Sequence, residues 1–446
     1  MDEIDLYFSD LLFVFAIAFA VAFFTTPVSM WIARKIGAID VPRDSRRMHQ
    51  RILPRFGGMA IFLGTVVATL IREGENEQIR IALLGGVLMY ALGVWDDLKD
   101  LKPWVKFSCQ TAIAILMFAL GLRITFITNY FVGGHWNFGI VMCFLVTVFW
   151  IVGITNTINL IDGLDGLAAG ISAIAALSMA YVAYIRGSIG GMTTVCIALM
   201  ALAGACSGFL PFNFSPAKTI MGDGGALFLG YMIAIMAVIS PLRRSTVIAA
   251  VVPVMALAIP IFDTSFAIIR RMVNHQGIMT ADKEHLHHRL MESGYGQRRA
   301  VLMLYGISGI MGVASILVSR DLVKEAVVLS LIAVVYLYVF LTDPNHKTMS
   351  AKGRQAEAQR KAAEAAKAAK AAERDRAIRE AIAQVAARTI HREPVAETSP
   401  EATEAALEMV ASDTAEIKAA DAPEIKADAP EPTEAVNQES EEGTTE

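Results

Sequence analysis

The sequence predicts an all-α integral membrane protein of about eleven transmembrane helices, with the N-terminus outside, the C-terminus cytoplasmic, and a polar helical and disordered tail. Three observations predict it. The chain is 55% hydrophobic against 18% charged, with a mean hydropathy of +0.49, higher than a soluble domain sustains. Its apolar residues fall in runs approaching the roughly 20 residues that span a bilayer as a helix. Its lysines and arginines are distributed unequally between alternate loops.

In chain order the spans are Leu11–Ile32, Gly57–Ile71, Ile81–Trp95, Val105–Leu122, Ile140–Ile158 and Leu167–Ile185. They continue as Met192–Leu210, Ala226–Ile239, Val247–Ile269, Val301–Val318 and Ala326–Leu341. Gly57–Ile71 and Ala226–Ile239 need flanking residues to cross, and Ile124–Val132, too short to span, is expected along the surface. Asp2, Glu3 and Asp5 stand where a signal peptide would be basic, so the first run is expected to remain as an anchor. Loops carrying Arg34, Lys35, Arg43, Arg46, Arg47, Arg51, Arg55, Lys99, Lys102, Lys106, Lys218, Arg270, Arg271, Lys283, Arg289, Arg298 and Arg299 share one side. The other side has fewer, Arg243 and Arg244 going against the trend, so the richer side is assigned to the cytoplasm. Cys109, Cys143, Cys196 and Cys206 lie in or beside apolar runs without metal-ligand spacing and read as small buried hydrophobes.

The organisation is then a multi-spanning membrane domain over 1–342, a solvated helix over 343–393 and an acidic disordered tail over 394–446. The segment "AEAQRKAAEAAKAAKAAERDRAIREAIAQVAAR" is built of strong helix formers but offers mostly alanine as apolar surface. Beyond it, Pro, Ala and Glu dominate, a composition that cannot bury enough area to offset ordering.

Polar residues gather in four loops, all on the predicted cytoplasmic side. "WDDLKDLKPWVK" carries Asp96, Asp97, Asp100 and Lys106; "NTINLIDGLDG" carries Asn156, Asn159, Asp162 and Asp165. "LPFNFSPAKTIMGDGG" carries Asn213, Lys218 and Asp223; "TADKEHLHHRL" carries Asp282, His285, His287, His288 and Arg289. Carboxylate and amide oxygens are hard ligands suited to Mg²⁺ or Mn²⁺, while Lys, Arg and His supply positive charge for phosphate oxygens. Glycines in "GLDG" and "GDGG" let the backbone approach a ligand and begin a helix whose N-terminus favours anions. The inventory suggests handling of a phosphate ester with a divalent cation. Taken singly, each cluster has a plainer reading: a capped helix end for Asp96 and Asp97, Asp-Gly turns for Asp162, Asp165 and Asp223, and an exposed helix or transition-metal site for "HLHH".

In this order and between these helices, "DDLKD", "NLIDGLDG", "FNFSPAKTIMGDGG" and "ADKEHLHHRL" resemble the polyprenyl-phosphate N-acetylhexosamine-1-phosphate transferases, and "RRMHQRILPRFGG" is similar to that family's first cytoplasmic loop. The likeness covers roughly Met1 to Leu341, and "HLHH" resembles the undecaprenyl-phosphate N-acetylglucosamine-1-phosphate branch. It implies transfer of N-acetylhexosamine-1-phosphate from a UDP-sugar to undecaprenyl phosphate, with release of UMP, at the bacterial inner membrane, as the first step of cell-wall or surface-polysaccharide synthesis. It also implies Mg²⁺ (with Mn²⁺ as substitute) held by Asn159 and Asp223, and Asp96, Asp97 and Asp162 in the catalytic group. Asp165 would lie near the nucleoside, and Lys106, His285, His287 and His288 at phosphates, with Asp100, Asn213 and Arg289 also binding substrate. The partners implied are the bilayer, undecaprenyl phosphate and a UDP-N-acetylhexosamine, with no nucleic-acid polymer. A homodimer stays open, and the tail's partner is not readable. A secondary transporter is the alternative, since ionisable residues inside spans commonly mark transport pathways and Asp263 sits within one. A scaffold using its tail is the plainer alternative, but it would leave the loops without such clusters.

Overall fold

The computed structural model describes residues 3–40, 52–128, 135–185, 192–240, 248–273, 286, 290–291, 295–342, 373, 376 and 380. The chain divides into two units, Met1–Ala358 and Gln359–Glu446. The helix and tail expected over 343–446 lie outside the described residues but for Glu373, Arg376 and Glu380, helical positions at which Arg376 pairs with Glu380 at 3.1 Å.

The first unit is a helical membrane bundle. Its helices are α1 (Glu3–Ile36), α2 (Gly58–Glu73), α3 (Glu77–Lys99), α4 (Pro103–Ala119), α5 (Ile140–Ile161) and α6 (Leu167–Ile185). They continue as α7 (Met192–Asn213), α8 (Gly222–Ile239), α9 (Ile248–Ala256), α10 (Ala258–Val273), α11 (Gln297–Ser319) and α12 (Val323–Thr342). Eight of these are long and apolar enough to cross a membrane: α1, α3, α5, α6, α7, α8, α11 and α12. The predicted spans at Gly57–Ile71 and Val105–Leu122 form the shorter helices α2 and α4. The predicted span Val247–Ile269 is divided into α9 and α10. Pro260 has no N–H to offer the Ala256 carbonyl, so the ladder breaks there and resumes with Ile261 donating to Leu257. Of the stretch expected along the surface, Phe126–Thr128 form β3, paired antiparallel with β4 (His135–Asn137), and 129–132 lie outside the described residues. A second two-residue ladder joins β1 (Ile39–Asp40) to β2 (Leu53–Pro54).

Helix α8 is the axis of the bundle. Of its apolar window 89% is buried, against 11% for α12. It packs against α2, α3, α5, α6, α7 and α9, while α1 is held by α2 and α7 and α11 by α6, α9 and α12. Without a hydrophobic drive between helices in lipid, close packing and interhelical hydrogen bonds hold such a bundle. Tyr231 of α8 donates to the Ala82 carbonyl of α3 at 3.0 Å, over the bare Cα of Gly85, and Trp150 of α5 donates to the Ala234 carbonyl at 3.1 Å. The outer surface stays apolar, with Phe24, Trp104, Phe149 and Val334 exposed, as a bilayer solvent requires.

Small residues set the closest approach. Gly58 at the start of α2 lies against the backbone of Gly225, and Gly93 of α3 against that of Asp223 and Gly224. A Cβ on Gly225 would stand 2.7 Å from Gly58 Cα, so α2 and α8 would have to part. Overpacking of this kind costs about 1–3 kcal/mol or more. Gly225→Val is therefore expected to lower the monodisperse fraction in detergent and the midpoint of SDS unfolding. Gly153→Ala, at a site open to solvent or lipid, is expected to leave both unchanged.

Candidate active site

Alternate helix ends meet at one end of the bundle. Four of them deliver acidic or amide side chains: the C-termini of α3, α5 and α7 and the N-terminus of α8. The start of α8 organises the rest. Gly222 adopts φ +71, a left-handed turn that glycine enters freely, and Asp223 follows in the first helical turn. The first amides of a helix have no partner within it, and here the cap comes from another helix. Asp97 Oδ1 accepts from the Asp223 amide at 2.9 Å and Oδ2 from the Gly224 amide at 3.0 Å. Gly93, one turn earlier on α3, lets the two backbones come close enough for this short side chain to reach.

Asp223 is flanked by two cations. Lys106 Nζ lies 2.9 Å from Oδ1, and Arg55 Nη2 3.0 Å from Oδ2. Lys106, in the first turns of α4, also meets Asp96 Oδ2 at 2.8 Å, and Asp96 Oδ1 accepts from the Leu101 amide at 2.8 Å. Arg55 Nε lies 2.9 Å from Asp97 Oδ1. Burial works to lower the Arg55 pKa, but the carboxylates of Asp97 and Asp223, then Asp100 and Asp162, outweigh it and raise it. Arg55 is thus a permanent cation. It is placed by β2 and the following turn: its amide donates to Ala38, while Gly57 donates to Ile220 and Ile220 to Pro54.

Asn159, in the last turn of α5, faces the same carboxylate. In one amide orientation it donates to Asp223 Oδ1 at 2.7 Å and accepts from Lys106 Nζ at 3.1 Å. In the other, its oxygen opposes the carboxylate oxygen, a contact that becomes favourable with a cation shared between them. Asp162, just beyond α5, has its pKa held well above the ordinary carboxylate value by burial, then by the charges of Asp223 and Asp97.

These groups border a cavity of about 210 Å³, lined by Asp40, Arg55, Asn159, Asp162, Gly163, Leu164, Asp165, Asn213, Ile220, Gly222 and Asp223. Two of the lining residues also hold the rim together. Asp165 Oδ2 accepts from the Ala217 amide at 3.0 Å; Asn213 accepts from the Gly166 amide and donates to the Thr219 carbonyl, each at 3.0 Å. Tyr305 of α11 donates to the Gly166 carbonyl at 2.5 Å, tying "GLDG" from behind.

Of the residues singled out in the sequence, Asn159, Asp162, Asp165, Asn213 and Asp223 line the cavity, and Asp96, Asp97 and Lys106 stand behind it in direct or single-residue contact with Asp223. Asp97 has both oxygens committed to the α8 amides and a side chain only 1% exposed. Asp100 is the exposed left-handed cap of α3 and does not line the cavity. His285, His287, His288 and Arg289 lie outside the described residues; between them the Leu286 amide donates to Asp263 Oδ1 at 2.8 Å. Asp263 is thus hydrogen-bonded to the backbone of the histidine-bearing segment. Arg55 and Asp40 line the cavity without having been singled out; one arginine among several in a basic loop reads as a topology signal, and only the likeness of "RRMHQRILPRFGG" to the family's first loop hinted at more.

The family model described as "Glycosyl transferase family 4" matches residues 79–241, from the start of α3 to just past the end of α8. A Bacillus subtilis protein named "Probable undecaprenyl-phosphate N-acetylglucosaminyl 1-phosphate transferase" is 40% identical over 346 residues, 73% of this chain and 89% of that protein. The chain belongs to the polyprenyl-phosphate N-acetylhexosamine-1-phosphate transferase family. Within that family, a "Decaprenyl-phosphate N-acetylglucosaminephosphotransferase" of Mycolicibacterium smegmatis is 33% identical over 72% of this chain and 85% of its own length. An "Undecaprenyl-phosphate alpha-N-acetylglucosaminyl 1-phosphate transferase" of Yersinia pestis is 25% identical over 74% and 89%.

The capping geometry yields a test of its own. Asp97→Ala strands two α8 amides and part of the Arg55 charge, and is expected to cost about 3–5 kcal/mol of unfolding free energy, as for a broken buried pair. Asp97→Asn, which retains one acceptor oxygen, should cost less. Equal stability of Asp97→Ala and the parent in SDS unfolding would contradict the cap.

Proposed function

We propose that the chain transfers N-acetylglucosamine-1-phosphate from UDP-N-acetylglucosamine to undecaprenyl phosphate, releasing UMP and leaving undecaprenyl-diphospho-N-acetylglucosamine in the bilayer. The names of the three relatives support the reaction. The observation that carries it here is the meeting of Asn159, Asp162, Asp223 and Arg55 around one cavity at the end of an apolar bundle, with Lys106 behind Asp223. One substrate is a lipid and the other is water-soluble, so the chemistry has to sit where bilayer and water adjoin. The excess of basic loop residues on this side supports a cytoplasmic orientation at a bacterial inner membrane.

Asn159 and Asp223 are proposed to hold Mg²⁺, with Mn²⁺ as a substitute. Among the described residues no group of three or more His, Cys, Asp and Glu forms a ready-made cage. That fits Mg²⁺, which commonly takes one or two protein oxygens and completes its shell with phosphate and water. Among the described residues, the carboxyl groups lining the cavity outnumber its one guanidinium, so a divalent ion has acidic oxygens to meet. When bound, Mg²⁺ supplies charge neutralisation at the diphosphate oxygens.

The remaining work falls to the side chains. A phosphate monoester has a second pKa of about 6, so the lipid phosphate is largely dianionic at neutral pH and needs no strong base. Its oxygen attacks the sugar-bearing phosphorus directly. A P–O bond forms there as the bond to the bridging oxygen breaks, and UMP leaves with that electron pair. Lys106 and Arg55 offset the charge that spreads over the phosphoryl oxygens. Asp96 orients Lys106 and Asp97 fixes the start of α8, so both carboxylates act through positioning. Asp162 lies in the catalytic group beside Asn159, with Asp165 toward the nucleoside. His285, His287, His288 and Arg289 are assigned to phosphates.

UMP release from purified chain, undecaprenyl phosphate and a panel of UDP-sugars, with and without Mg²⁺, tests the reading. UDP-N-acetylglucosamine is expected to be the preferred donor, with turnover lost on chelation. Asp223→Asn should lower kcat by about a thousandfold, the scale of losing a principal electrostatic group. Near-parent turnover of that variant at saturating Mg²⁺ would count decisively against it.

A further inference from the structure

The two cations at Asp223 are not held alike. Lys106 is enclosed between α3, α4 and α5, 14% exposed, with Asp96 at 2.8 Å as a further acceptor. Arg55 projects from the turn after β2, 26% exposed, and its guanidinium lines the cavity itself. Its other partner, Asp97, keeps the Asp223 and Gly224 amides whether or not Arg55 stays. Arg55 can therefore leave without orphaning the cap of α8.

A guanidinium does not deprotonate in proteins, so a cation that reaches Asp223 from the cavity meets the fixed charge of Arg55 on Oδ2, beside the Oδ1 that Asn159 faces. We propose that Arg55 is the resident counter-ion of Asp223, released when a divalent cation is taken up by Asn159 and Asp223 and then bound by the diphosphate oxygens that occupy the cavity with it. This rests on the metal assignment made above. The arginine neutralises Asp223 in the empty enzyme, which spares the interior an uncompensated charge. It also weakens metal binding until a diphosphate arrives, because a planar fork pairs with phosphate oxygens once the carboxylate is taken. Metal and UDP-sugar then bind cooperatively, each tightening the other by the same factor.

Mn²⁺ binding to the purified full chain, read by the electron paramagnetic resonance of free Mn²⁺, needs no turnover. The parent is expected to bind Mn²⁺ and Asp223→Asn to lose it. Without nucleotide, Arg55→Gln should bind about tenfold tighter, the scale of one removed like charge in a partly screened site. UDP-N-acetylglucosamine should tighten Mn²⁺ binding in the parent more than in Arg55→Gln. Arg55→Gln binding no tighter than the parent, with Asp223→Asn still losing the ion, would overturn the counter-ion role and leave the metal assignment standing. Equal binding by the parent and Asp223→Asn, or none by either, would overturn both. Should Arg55→Gln fail to fold, the parent itself decides. Modification of Arg55 by phenylglyoxal, mapped by mass spectrometry, should rise on adding Mn²⁺ and fall again with UDP-sugar. Unchanged reactivity on adding the ion would refute displacement.

Discussion

A helix that begins inside an apolar bundle has to satisfy its first amides there, and the start of α8 is where this protein meets that requirement. Asp97 supplies the cap from α3, Arg55 balances Asp97, and the same arginine with Lys106 balances Asp223. Remove the cap and the first turn of α8 has neither its hydrogen bonds nor its charge balance. Because each group in this set comes from a different element, the cap also fixes how α2, α3, α4 and α8 end relative to one another. A local need of helix chemistry thereby becomes the geometry of the site.

That arrangement explains why glycine recurs where it does. Gly93, Gly58 and Gly225 have no side chain to spare at the crossings of α2, α3 and α8. Backbones that approach this closely let short carboxylates and amides reach across, where longer side chains would need more room and lose more rotamer entropy. The cavity follows from the same economy. Its floor is the start of α8, its wall the end of α5 with "GLDG", and its rim the "FNFSPAK" loop stapled by Asn213 and Asp165. Asp96, Asp97, Asp165, Asn213 and Asp223, which look extravagant at a membrane border, are thus each bonded, and the space left open is lined by carboxyl and amide side chains, the Arg55 guanidinium, Leu164 and Ile220.

Much of this was legible in the sequence, for reasons that differ by residue. Long apolar runs report helices directly, and the predicted limits of α5, α6 and α7 fall within a few residues of those observed. Grouping Asp162, Asp165, Asp223 and the Asp96–Asp97 pair into one site depended on their order between spans. Which oxygen each carboxylate gives to which amide was not legible, because that depends on how closely two helices approach in space. The division of α9 from α10 was written in Pro260, yet an unbroken hydropathy run hid it. Arg55 was hidden by its class: in a basic loop one arginine looks like the next, and only the pairing of Pro54 with Ile220 sets it apart.

A structure of the full chain in a lipid nanodisc with Mg²⁺ and UDP-N-acetylglucosamine tests most directly that the start of α8 and the end of α5 form the reacting centre. The diphosphate is expected in the cavity between Asn159, Asp162 and Arg55, with the cation against Asp223 and the Asp97 cap on α8 unchanged. A nucleotide-sugar bound elsewhere, or a cation remote from Asp223, would contradict it.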